Sequence, residues 1–530
     1  MKLEKKSLRD AEEWKKAGYE LPEYDLEIIQ ANTKKNPIWI HFGAGNIFRA
    51  FMAVAQQKLL NEKIADTGII VCEGYDSEII EKVYRNYENL TIAVSMKQNG
   101  SMDKMVVGSV AESLLLKPET SDWLRLKEIF ENPALQMATF TITEKGYQIK
   151  NASGYLPQIK EDMQVGPEQA KSYMGCLTAL CYLRYLAGKL PLALVSMDNF
   201  SHNGDRLKMA VLTIAEVWEK NNLVEEGFSG YLQDETKISF PWSMIDKITP
   251  RPDSKIKEML ERTGLEGMDI FTTSANTYIA PFVNAEETEY LVIEDNFPNG
   301  RPKLEHAGIL FADRRTVECV EQMKVCTCLN PLHTGLAIFG CLLSYTSISK
   351  EMEDPLLREL AVQIGQEGMP VVVHPGILEP KQFLHEVLCV RLPNPYIPDT
   401  PQRIATDTSQ KLSIRYGETI KAYQKTGKSL EQLRAIPLVI AGWIRYLTGV
   451  DDFGNAMELS PDPRMTELRE KISDIAEKPE MVAGSILADA SVFGQDLSKT
   501  ELAEPVIGFL KEMLTGPHAV QKTLEKYLGQ

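Results

Sequence analysis

The sequence predicts an α/β domain followed by a mostly α-helical one. Three observations lead there. At 530 residues the chain exceeds the roughly 250–300 residues that one hydrophobic core serves, so two domains are expected. Short apolar runs rich in β-branched residues alternate with helical patterns through the first three hundred positions, the signature of a parallel sheet with crossover helices. After about residue 305 strand signals nearly vanish and long amphipathic patterns take over. The expected division is therefore 1–305 and 306–530.

Residues 1–36 are polar and helical, an N-terminal arm. Pro37-Ile38-Trp39-Ile40-His41-Phe42 then reads as a short buried strand, followed at once by Gly43-Ala44-Gly45-Asn46-Ile47-Phe48-Arg49. Ala50 to Asn61 has helical apolar spacing, and Gly68-Ile69-Ile70-Val71-Cys72 is a second strand ending at Glu73. Strand, glycine turn, helix, strand, acid is the order of a dinucleotide-binding unit. Gly43 permits the tight turn. Gly45, with Asn46 and Ile47 behind it, lets the backbone approach a pyrophosphate at a helix N-terminus. Phe48 stands where a third glycine is common. Arg49 either reaches a phosphate or is an ordinary solvated helix residue. Glu73 is placed to accept hydrogen bonds from the adenosine ribose and to repel a 2′-phosphate, so NAD is expected over NADP.

The alternation continues. Leu90–Val94 and Met105–Gly108 read as strands paired through the turn at Asn99-Gly100. Met137–Thr143 is a β-branched strand running into Glu144-Lys145-Gly146-Tyr147. Helical pattern covers Glu168–Ala187, and the strand Leu192–Met197 delivers Asp198-Asn199-Phe200-Ser201-His202-Asn203-Gly204 to the same edge. Phe240–Pro250, which carries Asp246, and Tyr290–Asp295 are two more such segments. Ligands bind at the carboxyl ends of strands in sheets of this kind.

Composition narrows the function classes. The formal charge of −16 speaks against nonspecific nucleic-acid binding, which needs a basic surface. A local pocket can still oppose that sign and hold an anion. The N-terminus is charged throughout and lacks the apolar core of a signal peptide, and no apolar run approaches the roughly 20 residues that span a bilayer. The eight cysteines are scattered, which suits reduced thiols in the cytoplasm.

Several stretches carry a closer resemblance: HFGAGNIFRAF, TITEKGY, SMDNFSHNG, FPWSMIDKITP, VIEDNFPNGRP, LNPLH and RLPNPYIPD, in that order. Together they resemble the polyol-specific long-chain dehydrogenases, the family of mannitol dehydrogenases and mannonate oxidoreductases. The resemblance implies a Rossmann-type NAD-binding domain, a helical second domain, an active site between them and no catalytic metal. It implies a reaction class as well, oxidation of a sugar acid or polyol, with D-mannonate and D-fructuronate as the expected pair. Tagaturonate reduction and mannitol 2-dehydrogenation are the near alternatives; a nucleotide-binding sensor without turnover is the alternative of another class.

Within this frame Glu321 to Gly340 is the chemical centre. Metal-free alcohol oxidation needs a base near the working pH, and Lys324 is the candidate. Amides of Asn330 and Asn199 are expected to stabilise the alkoxide, and His333 to orient the hydroxyl. Asp246 and Glu144 are candidates for ordering the lysine or relaying protons. Arg391 and Asn394 are candidates for distal hydroxyls or a carboxylate. In related chains the lysine stands five residues before the asparagine; here Lys324 and Asn330 are six apart. One extra residue rotates a helical side chain by about 100°, and a single π-helical turn would absorb it. Cys326 and Cys328 near His333 lack the ligand spacing of a zinc site.

Overall fold

The computed structural model describes residues 1–529, which divide into two compact units, Met1–Val317 and the residues from Glu318 onward. The division falls beyond residue 305 because one more strand, Leu310–Ala312, pairs in parallel with Tyr290–Glu294 and so belongs to the first unit.

The first unit is built on six parallel strands: β1 (Trp39–Phe42), β2 (Ile69–Glu73), β3 (Val110–Leu115), β4 (Met137–Phe140), β5 (Leu192–Ser196) and β6 (Ile238–Ser239). Their order across the sheet is β3-β2-β1-β4-β5-β6, the doubly wound order of a Rossmann sheet, with its switch point between β1 and β4. Both faces are covered, which is why these strands read as continuous apolar runs. Ile40, Phe42, Ile70 and Phe140 face one core with Trp218, while Trp39, Val71, Met137 and Val195 face the other with Phe51.

Two smaller sheets complete the unit. Thr91–Met96 and Met102–Val107 form the expected antiparallel pair. That pair is extended by Phe282–Glu286 and by Tyr19–Glu20 of the N-terminal arm. The arm is therefore part of the core: Trp14 is fully buried, and the Lys104 ammonium donates to the Ala17 carbonyl at 2.6 Å. Ser243–Asp246 pairs antiparallel with Tyr290–Glu294 in a separate sheet.

The second unit is helical. Asn330–Leu342 is its central helix and packs against Pro355–Gly368, Pro401–Ile404 and Ala435–Tyr446. Gly335 and Gly442 allow this close approach: a Cβ at Gly335 would meet Ile364 at 2.5 Å, and one at Gly442 would meet the Phe339 ring at 2.6 Å. Residues Arg314–Leu342 form the one helix, among the described residues, long and apolar enough to cross a membrane, although no apolar run alone predicted it. Its most apolar window is 78% buried inside the protein, as a core helix would be.

Candidate active site

The turn after β1 is fixed by backbone chemistry. Gly43 has φ +108°, and a Cβ there would lie 2.2 Å from the Thr141 carbonyl oxygen. Only glycine satisfies both demands. Its N–H donates to the Cys72 carbonyl at 2.8 Å, which ties the turn to β2. Glu73 closes the arrangement from the end of β2. One carboxylate oxygen accepts from the Ala44 N–H at 2.8 Å, the other from the N–H groups of Tyr75 at 2.8 Å and Asp76 at 3.3 Å. Around Gly45 a Cβ would meet nothing within 4 Å, so the backbone there is open to a close ligand. Gly43, Gly45 and Glu73 thus stand together at the sheet's switch point.

Four other residues of this motif take different places. Asn46 is engaged by protein at both ends of its amide, donating to the Pro250 carbonyl at 3.1 Å and accepting from Arg49 at 2.9 Å. Ile47 precedes a π-helical turn, Phe48–Met52, that opens the helix. Phe48 and Arg49, expected to touch the cofactor, are instead buried at 0% and 1% exposure. Phe48 stacks on the His41 ring at 4.3 Å. The Arg49 guanidinium turns inward and donates to the Ala280 carbonyl at 2.7 Å and to Thr91 at 3.3 Å. A tertiary carbonyl, a hydroxyl and the Asn46 amide took the donors that the helix position suggested for a phosphate.

The loops after β4 and β5 are joined through Asp198. Its carboxylate accepts from the Ile142 N–H at 2.9 Å, the Thr143 N–H at 3.0 Å and the Tyr147 hydroxyl at 2.6 Å. Burial raises its pKa and these hydrogen bonds oppose the rise. Thr143 has φ +62°, a strained state for a β-branched residue, so the Asp198 clamp holds the TITEKGY turn in shape. Asn199 is exposed beside it. Glu144 is also exposed and lies 3.5 Å from the Arg206 guanidinium, a contact that ordinary surface charge explains. Asp246 is buried at 3% exposure at the end of Ser243–Asp246.

In the second unit Lys324 is buried, at 3% exposure, and opens a π-helical turn, Lys324–Cys328. The Leu329 N–H donates back five residues to the Lys324 carbonyl at 3.1 Å. Pro331 has no N–H to offer the carbonyls behind it, and the Thr419 hydroxyl serves the Cys326 carbonyl instead at 3.0 Å. A π-helical turn takes in one more residue than an α-helical one, and this one lies between Lys324 and Asn330. Asn330 begins the helix Asn330–Leu342, and its carbonyl accepts from the Thr334 hydroxyl at 2.9 Å.

His333 lies one turn further along, its side chain 15% exposed and its Nε2 3.6 Å from an Asp399 oxygen. Burial lowers its pKa to about 4; Asp399 opposes that shift and the guanidiniums of Arg391, Arg415 and Arg403 add to it. The imidazole is therefore neutral at neutral pH and sits in a field set by three arginines and one carboxylate. Arg391 ends another π-helical turn, Val387–Arg391, and is 4% exposed. Asn394 caps the turn that follows, accepting from the Tyr396 N–H at 3.0 Å.

Family models match almost the whole chain: the mannitol dehydrogenase Rossmann domain over residues 37–306 and the mannitol dehydrogenase C-terminal domain over residues 316–514. The chain belongs to the mannitol dehydrogenase family. A D-mannonate oxidoreductase of Thermotoga maritima is 53% identical, over 100% of this chain and 99% of that protein. The solved structure of Pseudomonas fluorescens mannitol 2-dehydrogenase, a ternary complex with NAD and D-mannitol, is 25% identical, covers 100% of both chains and superposes with a TM-score of 0.71. A D-sorbitol dehydrogenase structure at 24% identity shares the fold, with a TM-score of 0.79 over 96% of this chain and 98% of that one.

Set among mannitol dehydrogenases, the second unit gathers Lys324, Asn330, His333 and Arg391 into two neighbouring segments, and the first unit brings Gly43, Gly45 and Glu73 to one crevice. Asp198 and Arg415 were not singled out in the sequence. The acid immediately before Asn199 was a signal for the first; Arg415 has no local signal.

Proposed function

We propose that the protein is an NAD-dependent oxidoreductase that interconverts D-mannonate and D-fructuronate in the cytoplasm. Eight cysteines, all free, suit that compartment. The long relative named D-mannonate oxidoreductase supports the substrate pair. The observation that carries the choice of an acid over a neutral polyol is the field at His333, on which the charges of Arg391, Arg415 and Arg403 act against that of Asp399.

The residues at the switch point fit the dinucleotide. Glu73 would take the adenosine ribose, since a carboxylate already fixed by three N–H groups keeps one further lone pair for a hydroxyl and repels a 2′-phosphate. The open backbone at Gly45 would face the pyrophosphate. When bound, a nicotinamide would supply the hydride acceptor for oxidation of the alcohol and the hydride donor for reduction of the ketone. The chain supplies the proton chemistry. In oxidation the Lys324 amine accepts the hydroxyl proton, and in reduction its ammonium gives a proton to the carbonyl oxygen. The amide donor of Asn330 would stabilise the charge on that oxygen. Neutral His333 would hold an adjacent hydroxyl, and Arg391 and Asn394 the far end of the substrate.

The test is loss of NADH absorbance on addition of fructuronate, tagaturonate or fructose, repeated with NADPH. Turnover of fructuronate with NADH in clear preference to the other five combinations is the expected result. Preference for tagaturonate or fructose overturns the substrate assignment. Tight NADH binding without turnover of any of the three supports a sensor.

A further inference from the structure

We propose that Arg415 is the residue that recognises the substrate carboxylate and so sets the preference for a sugar acid over a neutral sugar. The inference rests on the proposed function and assigns a specificity residue to it.

Arg415 lies in the helical second unit, on the π-helical turn Ser413–Gly417. Its guanidinium donates to the hydroxyl of Thr334, the residue after His333. Thr334 in turn donates to the Asn330 carbonyl at 2.9 Å. Arg415 is thus tied to the helix turn that carries Asn330 and His333, and its charge acts on the His333 ring. Among the described residues no carboxylate lies within ion-pair distance of it, whereas Arg403, also near His333, is paired with Asp399. Burial depresses its pKa to about 10, and the one opposing group is the Tyr416 phenol. A desolvated guanidinium answered only by a hydroxyl is costly unless an anion completes it. Its planar fork suits a carboxylate. The side chain is partly buried, open enough to receive such a group.

The backbone holding it is fixed in advance. The Tyr416 hydroxyl donates to the Pro331 carbonyl at 2.6 Å, next to Asn330. A Cβ at Gly417 would lie 2.1 Å from the Phe493 carbonyl oxygen. Lys324 and Arg391 also lie in π-helical turns, and such turns concentrate at functional sites. Arg415 shares that placement.

Two measurements test the assignment. Kinetics with fructuronate and with fructose compare wild type, R415M and R415K. R415M is expected to lower kcat/KM for fructuronate about 30-fold or more through KM, the scale of a lost charge-assisted hydrogen bond, and far more than for fructose, with R415K recovering part of the loss. Calorimetric binding of gluconate and of sorbitol to the NADH-loaded enzyme gives a readout independent of turnover. Wild type is expected to prefer gluconate and R415M to lose that preference; where R415M does not fold, R415K and R415Q carry the same comparison. Equal losses on acid and neutral ligands, or an unchanged gluconate preference, overturn the assignment. A wild type that turns over only neutral sugars overturns the proposed function instead.

Discussion

Glu351 offers a stability prediction that follows from geometry and linkage alone. It is 0% exposed, and neither carboxyl oxygen has a hydrogen-bond partner. One oxygen occupies the space beside Gly340, where a Cβ would lie 1.9 Å away. Burial raises its pKa well above the ordinary 4.5, so the folded protein holds this group as a neutral acid. The unfolded chain releases the proton above pH 4.5 while the folded chain keeps it. Stability is therefore greatest below the unfolded pKa and falls as pH rises toward the folded one, by about 1.4 kcal/mol per pH unit. Cys341 and Tyr345, the neighbours that feel its charge, are both pushed up to about 12 and do not titrate in this window. Glu351→Met keeps the shape and removes the proton. Urea unfolding of both proteins at half-unit steps should show the stability gap widening with pH in favour of E351M. A gap that stays constant from pH 5.5 to 7.5 would refute the reasoning.

Two further outcomes are expected. Gly43→Ala sets a Cβ 2.2 Å from the Thr141 carbonyl at φ +108°, which costs several kcal/mol locally; NADH titration by fluorescence should show an affinity loss of about 100-fold or more, and an unchanged affinity would contradict the turn's assigned role. His333, lowered to about 4 from 6.5 by burial, should stay neutral from pH 5 to 8, so its ring resonances are flat there by NMR. Because the unfolded chain takes up that proton first, His333 contributes stability above pH 6.5 that is lost as pH falls toward 4. A ring titration near 6.5 would show that its burial has been misread.

The cofactor half of the fold was legible because it is local. Strand, glycine turn, helix, strand and Glu73 follow one another within forty residues, and buried parallel strands announce themselves as apolar runs. The strand Val110–Leu115 was not read, because Glu112 and Ser113 interrupt its pattern at the sheet edge, where Glu112 pairs with Arg125 at 2.8 Å. Neither reading of Arg49, a phosphate contact or a solvated helix residue, anticipated its burial, because sequence cannot show that Ala280, more than two hundred residues away, supplies the acceptor. The π-helical turn at Lys324 was legible as a length mismatch against related chains. Arg415 was not legible at all, since its significance lies in which charges are missing around it, a property of the folded unit.

The most direct measurement of the central claim compares wild type with Lys324→Met for NADH oxidation by fructuronate, alongside NADH affinity for each. If Lys324 keeps its catalytic place through the wide turn, K324M has unchanged NADH affinity and a rate lowered by about 10²–10⁴-fold, the range of a lost acid–base group. A K324M enzyme that reduces fructuronate at the wild-type rate would contradict it.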